Sequence, residues 1–392
     1  MGASSYIVYA KRTPIGKFNG SLASVPAPKL GAILVKDAME QLKVDPEKVD
    51  EIIMGQVLTG GVGQAPARQT AIYGGLPSSV CASTINKVCG SGLKSVMLAD
   101  QSLRLGEHAF MFAGGQENMS LAPHLLMDSR SGYRFGSFNV KDHMQWDGLW
   151  DPYENVAMGN CGEICAKEYG FTREAQDEFA LQSYKRARAA SESGAFNEEI
   201  LPVEVQQRKK QLTLTNDEEP FSVDLDKIRN LRPAFDKNGT ITAANASSIN
   251  DGAALLGLSS EHSINTWDLK PVARILGQAS HAQDPTWFTT APIACIRKVL
   301  DKADLTVDDI DLFEINEAFA VVAMAAIKDL KLDPEKVNVN GGAVALGHPI
   351  GASGARVLVT LIHALKSRKL KKGLATLCIG GGEASAVVVE LV

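Results

Sequence analysis

Three side chains combine nucleophilic or proton-transferring chemistry with surroundings suited to close approach: Cys89, His348 and Cys378. Cys89 lies in Asn86-Lys-Val-Cys-Gly-Ser-Gly, immediately before an apolar helical pattern. A thiol at a helix amino end faces unpaired amide donors, which favour thiolate, and the glycines after it let a substrate come near. Taken alone, a cysteine before a helix is more often structural. His348 stands in Asn338-Val-Asn-Gly-Gly-Ala-Val-Ala-Leu-Gly-His-Pro-Ile-Gly-Ala-Ser-Gly-Ala-Arg, with glycines at 341, 342, 347, 351 and 354. So many glycines weaken a core and mark a sharp turn or a close approach. Pro349 keeps His348 out of the helical region, and a helix reads from Gly351 to Leu365. Cys378 ends an apolar run in Thr376-Leu-Cys-Ile-Gly-Gly-Gly-Glu; without the three glycines it reads as strand core. Asn316 and Glu317 follow the strand-like Leu312–Ile315, where capping a helix is the ordinary task of asparagine.

The elements around these residues alternate. Tyr6–Ala10 reads as a strand, Pro28–Leu42 as a helix and Glu51–Leu58 as an apolar strand. A helix over Ala65–Tyr73, a buried helix from Gly90 and a strand over Ala109–Gly114 follow. The C-terminal third repeats the plan. Strands are predicted at Pro271–Leu276, Ile310–Ile315, Val337–Asn340, Leu374–Ile379 and Ala386–Leu391. Helices are predicted at Pro292–Lys302, Ala318–Leu330 and Ala352–Ser367. Such alternation implies a parallel or mixed sheet covered by helices.

The two halves also share wording. Cys89-Gly-Ser-Gly-Leu matches Gly351-Ala-Ser-Gly-Ala, each opening a long apolar helix. Ala113-Gly-Gly-Gln-Glu matches Gly380-Gly-Gly-Glu, each closing a strand. Val44-Asp-Pro-Glu-Lys-Val-Asp-Glu-Ile-Ile resembles Leu305-Thr-Val-Asp-Asp-Ile-Asp-Leu-Phe. A period of roughly 260 residues is too long for a solenoid and argues for two similar α/β domains. A pseudo-twofold would bring the Cys89 and His348 turns together, nucleophile beside base. Between the halves, residues 119–249 change texture, with the polar Asp128–Arg134, the aromatic Trp146–Tyr153, a helix over Thr172–Ser193 and the charged run Gln206–Glu219. This reads as an inserted lobe that shapes a binding site on a scaffold.

The 392 residues suit two or three domain-sized cores, and 45% hydrophobic with 22% charged residues is ordinary for a globular protein. A net charge of −5 favours neither nucleic acid nor an anionic membrane as partner. No apolar run approaches the ~20 residues of a membrane helix. The N-terminus reads as a first strand, not a targeting peptide. Met1-Gly2 begins a myristoylation pattern whose Ser/Thr position is Tyr6. The sequons at Asn118 and Asn245 carry no weight without secretion, so a cytoplasmic protein is expected. The six cysteines, at 81, 89, 161, 165, 295 and 378, form no Cys-x-x-Cys pair and no zinc-like spacing. Cys161 and Cys165 share a helix face, which fits a metal or redox pair less well than two small buried thiols.

Asn86-Lys-Val-Cys-Gly-Ser-Gly, Asn316-Glu-Ala-Phe-Ala, the His348 stretch and Cys378-Ile-Gly-Gly-Gly-Glu together resemble the thiolase family. The likeness runs along the whole chain, including Lys11-Arg-Thr-Pro-Ile-Gly-Lys-Phe-Asn-Gly and Leu231-Arg-Pro-Ala-Phe…Ala243-Ala-Asn-Ala-Ser-Ser. Within the family the wording is most similar to the acetyl-CoA acetyltransferases. The resemblance implies duplicated βαβαβαββ domains in a five-layered α-β-α-β-α core with an inserted loop domain. It divides the chain into 1–118 with 250–270, an inserted coenzyme A domain at 119–249, and 271–392. It implies Cys89 as the acyl-accepting nucleophile, activated by His348, with Asn316 holding a water in an oxyanion hole. Cys378 would move the α-carbon proton, and the amides of Cys89 and Gly380 would form a second oxyanion hole. A thioester α-proton is weakly acidic, so preorganised donors for the enolate oxygen suit this chemistry.

By the same resemblance, Ser247 and Ala243 meet the pantetheine, and Phe235, Leu149, Met158, Ala318 and Phe319 line the tunnel. Ala157 stands where the family has a histidine, and Pro220 and Lys227 stand where an arginine and a serine meet the nucleotide. Phe288 replaces a methionine of the acyl pocket, with Thr289 for a glycine, and a phenylalanine there resembles relatives that accept 2-methylacetoacetyl-CoA. Coenzyme A thioesters are then substrate and product, with no tightly bound cofactor and no metal, and the resemblance implies a homotetramer built from dimers. The alternatives are a broader 3-ketoacyl-CoA thiolase of fatty-acid β-oxidation and a non-catalytic acyl-CoA or lipid carrier. A carrier would not need Cys89, Asn316, His348 and Cys378 together. The His348 turn lacks the Lys-Ser/Thr of a phosphate loop and the spacing of a dinucleotide fingerprint.

Overall fold

The computed structural model describes residues 4–207 and 210–392. The Met1-Gly2 pattern and residues 208–209 of the charged run lie outside the described residues. Nine core strands form one continuous sheet: β1 (Ser5–Arg12), β2 (Glu51–Gly55), β3 (Cys81–Ile85), β4 (Phe110–Asn118), β5 (Asn250–Ser260), β6 (Ala273–Ala282), β7 (Leu312–Ile315), β8 (Lys372–Ile379) and β9 (Glu383–Leu391). Their order is β7-β8-β9-β6-β1-β5-β4-β2-β3. In the first half β3–β2 and β2–β4 pair in parallel, and β4–β5 and β5–β1 antiparallel. The second half repeats this, with β7–β8 parallel and β8–β9 and β9–β6 antiparallel. The halves meet through β1 and β6 over two paired positions, Tyr6 with Arg274 and Ile7 with Ala273.

The predicted strand Val337–Asn340 is reduced to a single bridge, Val337 to Phe313. Asn338 has a left-handed φ of 48°, and its side-chain amide does the ladder's work. Its Oδ1 accepts from Ile315 N–H at 2.8 Å and its Nδ2 donates to Ile315 O at 2.8 Å. The chain is thereby turned toward the His348 stretch. A second difference concerns the shared glycine wording. Gly114 and Gly115 lie within β4, whereas Gly380–Gly382 follow the end of β8.

Helices α1 (Ala27–Leu42) and α2 (Pro66–Tyr73) cover the outer face of the first half. Helix α3 (Ser91–Leu105) packs on the inner face. In the lobe lie α4 (Met158–Tyr169) and α5 (Arg173–Glu192), with three short hairpins. Helix α6 (Ala291–Ala303), backed by α7 (Ala320–Leu330), covers the outer face of the second half, and α8 (Ser353–Arg368) its inner face. α3 and α8 pack against each other between the half-sheets, giving five layers. Twelve of the sixteen α8 residues are buried, as a helix covered on all sides requires. α1 instead exposes one face and keeps a single apolar stripe. Among the described residues no helix is long and apolar enough to cross a membrane.

The contact between α3 and α8 depends on matched glycines. A Cβ on Gly92 would lie 2.8 Å from Ala355 N, and one on Gly354 would lie 2.4 Å from Leu93 N. Real side chains do not approach that closely, so each helix carries glycine where the other crosses it. These are the last glycines of Cys89-Gly-Ser-Gly and Gly351-Ala-Ser-Gly, and their contact draws the two turns into one place.

Candidate active site

Cys89 sits at the amino end of α3, whose N-cap is Gly90. Its turn is tied down by side chains: Val88 N–H donates to Asn86 Oδ1 at 2.9 Å, Lys87 N–H to Ser91 Oγ at 2.8 Å, and Ser91 Oγ to Val88 O at 2.7 Å. Val88 is held at a φ of 46°, which a β-branched residue adopts at a cost. An ion pair between Lys87 and Glu383 ties this turn to the segment after β8. The amides of Cys89 and Gly380 both hydrogen-bond toward the Cys89 sulfur and favour its thiolate, yet burial outweighs them and pushes the thiol up to about 11. The helix end by itself therefore does not yield a thiolate in the empty site.

His348 is buried after Gly347, whose φ is 104°. A Cβ there would lie 2.4 Å from the Asn250 side chain, and that asparagine accepts the His348 N–H at 2.9 Å. Asn250 Nδ2 in turn donates to Gly16 O at 3.1 Å. On the ring, Nδ1 faces Ser353 Oγ at 2.5 Å, while Nε2 is buried with no protein partner. Burial, with the positive charge of Arg356 second, pushes the imidazole down to about 3.

Asn316 is fully buried, and its role is not the cap of a helix. α7 begins at Ala320 with Phe319 as N-cap and no side-chain cap. Asn316 N–H donates to Thr376 O at 3.0 Å, Oδ1 accepts from Arg356 Nη2 at 3.2 Å, and Nδ2 has no protein partner. Its neighbour Glu317 accepts from Ser183 Oγ, Asn338 Nδ2 and Val344 N–H, bracing the His348 stretch against α5. Cys378 lies within β8, buried, its thiol raised by burial and by the nearby Cys89 thiol.

A cavity of about 260 Å³ is lined by Cys89, His348 and Gly380. Phe288, Phe319, Phe235, Leu149, Met158, Ala318 and Ser247 form much of its wall. Phe319 meets Phe235 and Phe288 edge-on, with centroids 6.0 and 6.2 Å away, the arrangement aromatic rings prefer. Ser247 Oγ and N–H both donate to Ala318 O at 3.0 Å. Ala243 is exposed and Ala157 caps α4; neither lines this cavity. Pro220 is buried and Lys227 pairs with Asp224 at 3.0 Å, also away from it. Cys161 and Cys165 are buried on α4, and all six cysteines are free.

Such a cavity presents a thiol, two backbone amides at its sulfur, and an imidazole nitrogen with an open lone pair. That set suits transfer of an acyl group through a thioester. The family model described as thiolase, N-terminal domain, matches residues 5–262, and the model for thiolase, C-terminal domain, matches residues 269–391. The chain belongs to the thiolase family. It is 54% identical to an acetyl-CoA acetyltransferase of Escherichia coli over 386 residues, 98% of each chain. It is 53% identical to that of Cupriavidus necator over 392 residues, again 98% of each. The crystal structure of the Bacillus anthracis acetyl-CoA acetyltransferase superposes with a TM-score of 0.97 at 41% identity, covering 100% of this chain and 99% of that one. A thiolase from Ascaris suum in complex with coenzyme A gives 0.94 at 44% identity, covering 99% and 100%.

Four residues around this thiolase cavity have tasks that the sequence does not assign. Ser353 sets the ring of His348 and Asn250 holds its backbone. Arg356 meets Asn316. Glu117, buried, accepts Val57 N–H and Gly351 N–H at 2.9 Å and Leu58 N–H at 3.2 Å, joining the halves behind the His348 turn. An arginine and a serine inside an otherwise apolar helical pattern were the available hint.

Proposed function

We propose that this thiolase is an acetyl-CoA C-acetyltransferase, joining two acetyl-CoA into acetoacetyl-CoA and coenzyme A, or cleaving in reverse. The observation that carries the reading is the single cavity shared by Cys89, the open Nε2 of His348 and the amides of Cys89 and Gly380. The activity named for relatives of about half-identical sequence supports the same substrate. In the first half-reaction Cys89 passes its proton to His348 Nε2 and attacks the acyl carbon. Coenzyme A leaves with the proton from His348, and an acetyl thioester remains on Cys89. In the second, Cys378, first deprotonated to the thiolate by loss of its own proton to solvent, takes the α-proton of another acetyl-CoA. The resulting carbanion attacks the acetyl group and breaks its bond to Cys89, and the expelled Cys89 sulfur receives the proton back from Cys378. Donors from Asn316 and from the Cys89 and Gly380 amides receive the oxyanion charge in the two steps. Both groups of the Cys89–His348 pair are neutral in the empty cavity, so proton transfer is coupled to charge building on the thioester oxygen.

The acyl-CoA enters from the inserted domain, 119–249, with Ser247 and Ala243 toward the pantetheine and Phe235, Leu149, Met158, Ala318 and Phe319 along the tunnel. The remaining two units are 1–118 with 250–270, and 271–392. Phe288 faces the acyl group and extends the substrate to 2-methylacetoacetyl-CoA, while Ala157 offers no polar side chain where the family has a histidine. The enzyme is a cytoplasmic homotetramer, a dimer of dimers, without tightly bound cofactor, nucleic acid or membrane partner. One experiment tests the core of this. Incubation with acetyl-CoA should add one acetyl group to the peptide carrying Cys89, and thiolysis should favour acetoacetyl-CoA and its 2-methyl form over a long-chain 3-ketoacyl-CoA. Absence of the acetyl adduct, or faster long-chain turnover, would reject the assignment.

A further inference from the structure

We infer that Arg356 is a positioning residue of this site, setting which way the Asn316 amide faces and so which atom it offers to the reaction. The inference rests on the acyl-transfer reading above. Arg356 is 1% exposed, on the second turn of α8, pointing out of the central layer toward β7. Its Nη1 pairs with Glu314 Oε1 at 2.8 Å, and its Nη2 donates to Asn316 Oδ1 at 3.2 Å. A guanidinium carries donors only. Whatever lies within hydrogen-bond reach must therefore be an acceptor, and of the two ends of a carboxamide only Oδ1 qualifies.

Rotating Asn316 by half a turn would set Nδ2 against Nη2, two donors in a dry site, at the cost of a buried unpaired polar group. Arg356 thus excludes the flipped amide. Nδ2 is left buried and without a protein partner, the one donor of this amide free for the oxyanion role proposed above. Glu314 accepts from the other arm of the guanidinium two residues before Asn316 on the same strand, so one planar fork reaches both side chains while Nη2 alone sets the amide. The same positive charge also bears on His348, depressing its basicity. Arg356 therefore acts on both unpartnered groups of the site, Asn316 Nδ2 by orientation and His348 Nε2 through the field.

The test uses the full-length enzyme and steady-state thiolysis of acetoacetyl-CoA. Arg356→Lys keeps the charge but loses the fork, and kcat should fall on the order of a hundredfold with KM within about threefold. Glu314→Gln leaves Nη2 on Asn316, and its kcat should stay within about threefold of the parent although its thermal midpoint drops. Because Arg356 acts through Asn316, Asn316→Ala combined with Arg356→Lys should be no slower than Asn316→Ala alone, within roughly threefold. If Arg356→Lys does not fold, Arg356→Gln with Glu314→Gln removes both buried charges together and should show the same loss in kcat. Parental kcat in these Arg356 variants, fully multiplying losses in the double variant, or an equal loss in Glu314→Gln would overturn the inference. An inactive parent enzyme would instead overturn the functional reading on which it stands.

Discussion

His348 Nδ1 lies 2.5 Å from Ser353 Oγ, and Ser353 Oγ also donates to Pro349 O at 2.9 Å. A hydroxyl has one hydrogen. With that hydrogen committed to the carbonyl, the proton in the shorter contact belongs to Nδ1, and Nε2 becomes the free acceptor. Ser91 does the corresponding work in the Cys89 turn, donating to Val88 O while it accepts Lys87 N–H. The two serines of the repeated Gly/Ser wording thus lock one loop each, and the loops present Cys89 and His348 to the same cavity.

Ser353→Ala removes the acceptor that fixes the ring. A hydrogen bond to a group that becomes charged is worth about 1.5–3 kcal/mol, so acyl-enzyme formation should slow roughly tenfold to a hundredfold. Rapid-quench measurement of acetyl transfer to Cys89 reads this step directly. An unchanged rate would mean that the ring is held by the cavity walls and not by Ser353.

Alkylation of the substrate-free enzyme should report the ionisation of Cys89. With the thiol near 11 and the imidazole near 3, neither group changes charge between pH 6 and about 9. The thiolate fraction, and with it the iodoacetamide rate, should climb about tenfold per pH unit through that range. A plateau reached near neutrality would reveal a preformed thiolate–imidazolium pair.

The two cysteines should separate by half-reaction. Cys89→Ser should abolish thiolysis with the fold intact, while Cys378→Ser should still accept an acetyl group but lose condensation by about a hundredfold or more, the usual reach of a proton-transferring group. Acetyl incorporation followed by mass spectrometry, beside a condensation assay, distinguishes them. Loss of incorporation in the Cys378 variant would mean that their tasks have been exchanged.

Gly354→Ala should be felt as a packing error. Its Cβ would lie 2.4 Å from a backbone nitrogen of α3, and overpacking of a rigid contact costs about 1–3 kcal/mol. A lowered thermal midpoint with a reduced rate of Cys89 acetylation is expected, because the same crossing sets the distance between the two turns. A variant with parental stability would show that α3 and α8 slide freely.

Glu117 should leave a trace in the pH dependence of stability. Burial raises its carboxyl to about 7, whereas an unfolded glutamate titrates near 4.3. Between those values the folded protein holds a proton that the unfolded chain has released. Stability from this group is therefore complete below about 4.3 and is lost as pH rises to about 7, by up to about 1.4 kcal/mol per pH unit. In Glu117→Gln that slope should vanish, so denaturant midpoints at pH 5 and pH 8 should differ less than in the parent. Equal slopes would mean that Glu117 is ionised in the folded protein throughout.

The α/β alternation, the duplication and the candidate residues of the site were legible because each leaves a local mark. Period-two and helical patterns name strands and helices, and Cys89, His348, Asn316 and Cys378 each sit in distinctive wording. Val337–Asn340 reads as a strand because its apolar alternation is real, while the decisive event is a side-chain amide replacing the ladder at Ile315. The thiolate expected at the α3 amino end was another local inference overturned by burial, which no stretch of sequence reports.

Composition and spacing alone determined the fold class, the two-half plan and the set of groups able to do acyl chemistry, because these depend on neighbours along the chain. Only the tertiary structure decided which nitrogen of His348 lacks a protein partner, which end of Asn316 meets Arg356, and that burial raises both thiols. Those outcomes depend on Ser353, Arg356 and the exclusion of water, and burial and hydrogen-bond direction exist only once α3, α8 and the two half-sheets have closed around the site.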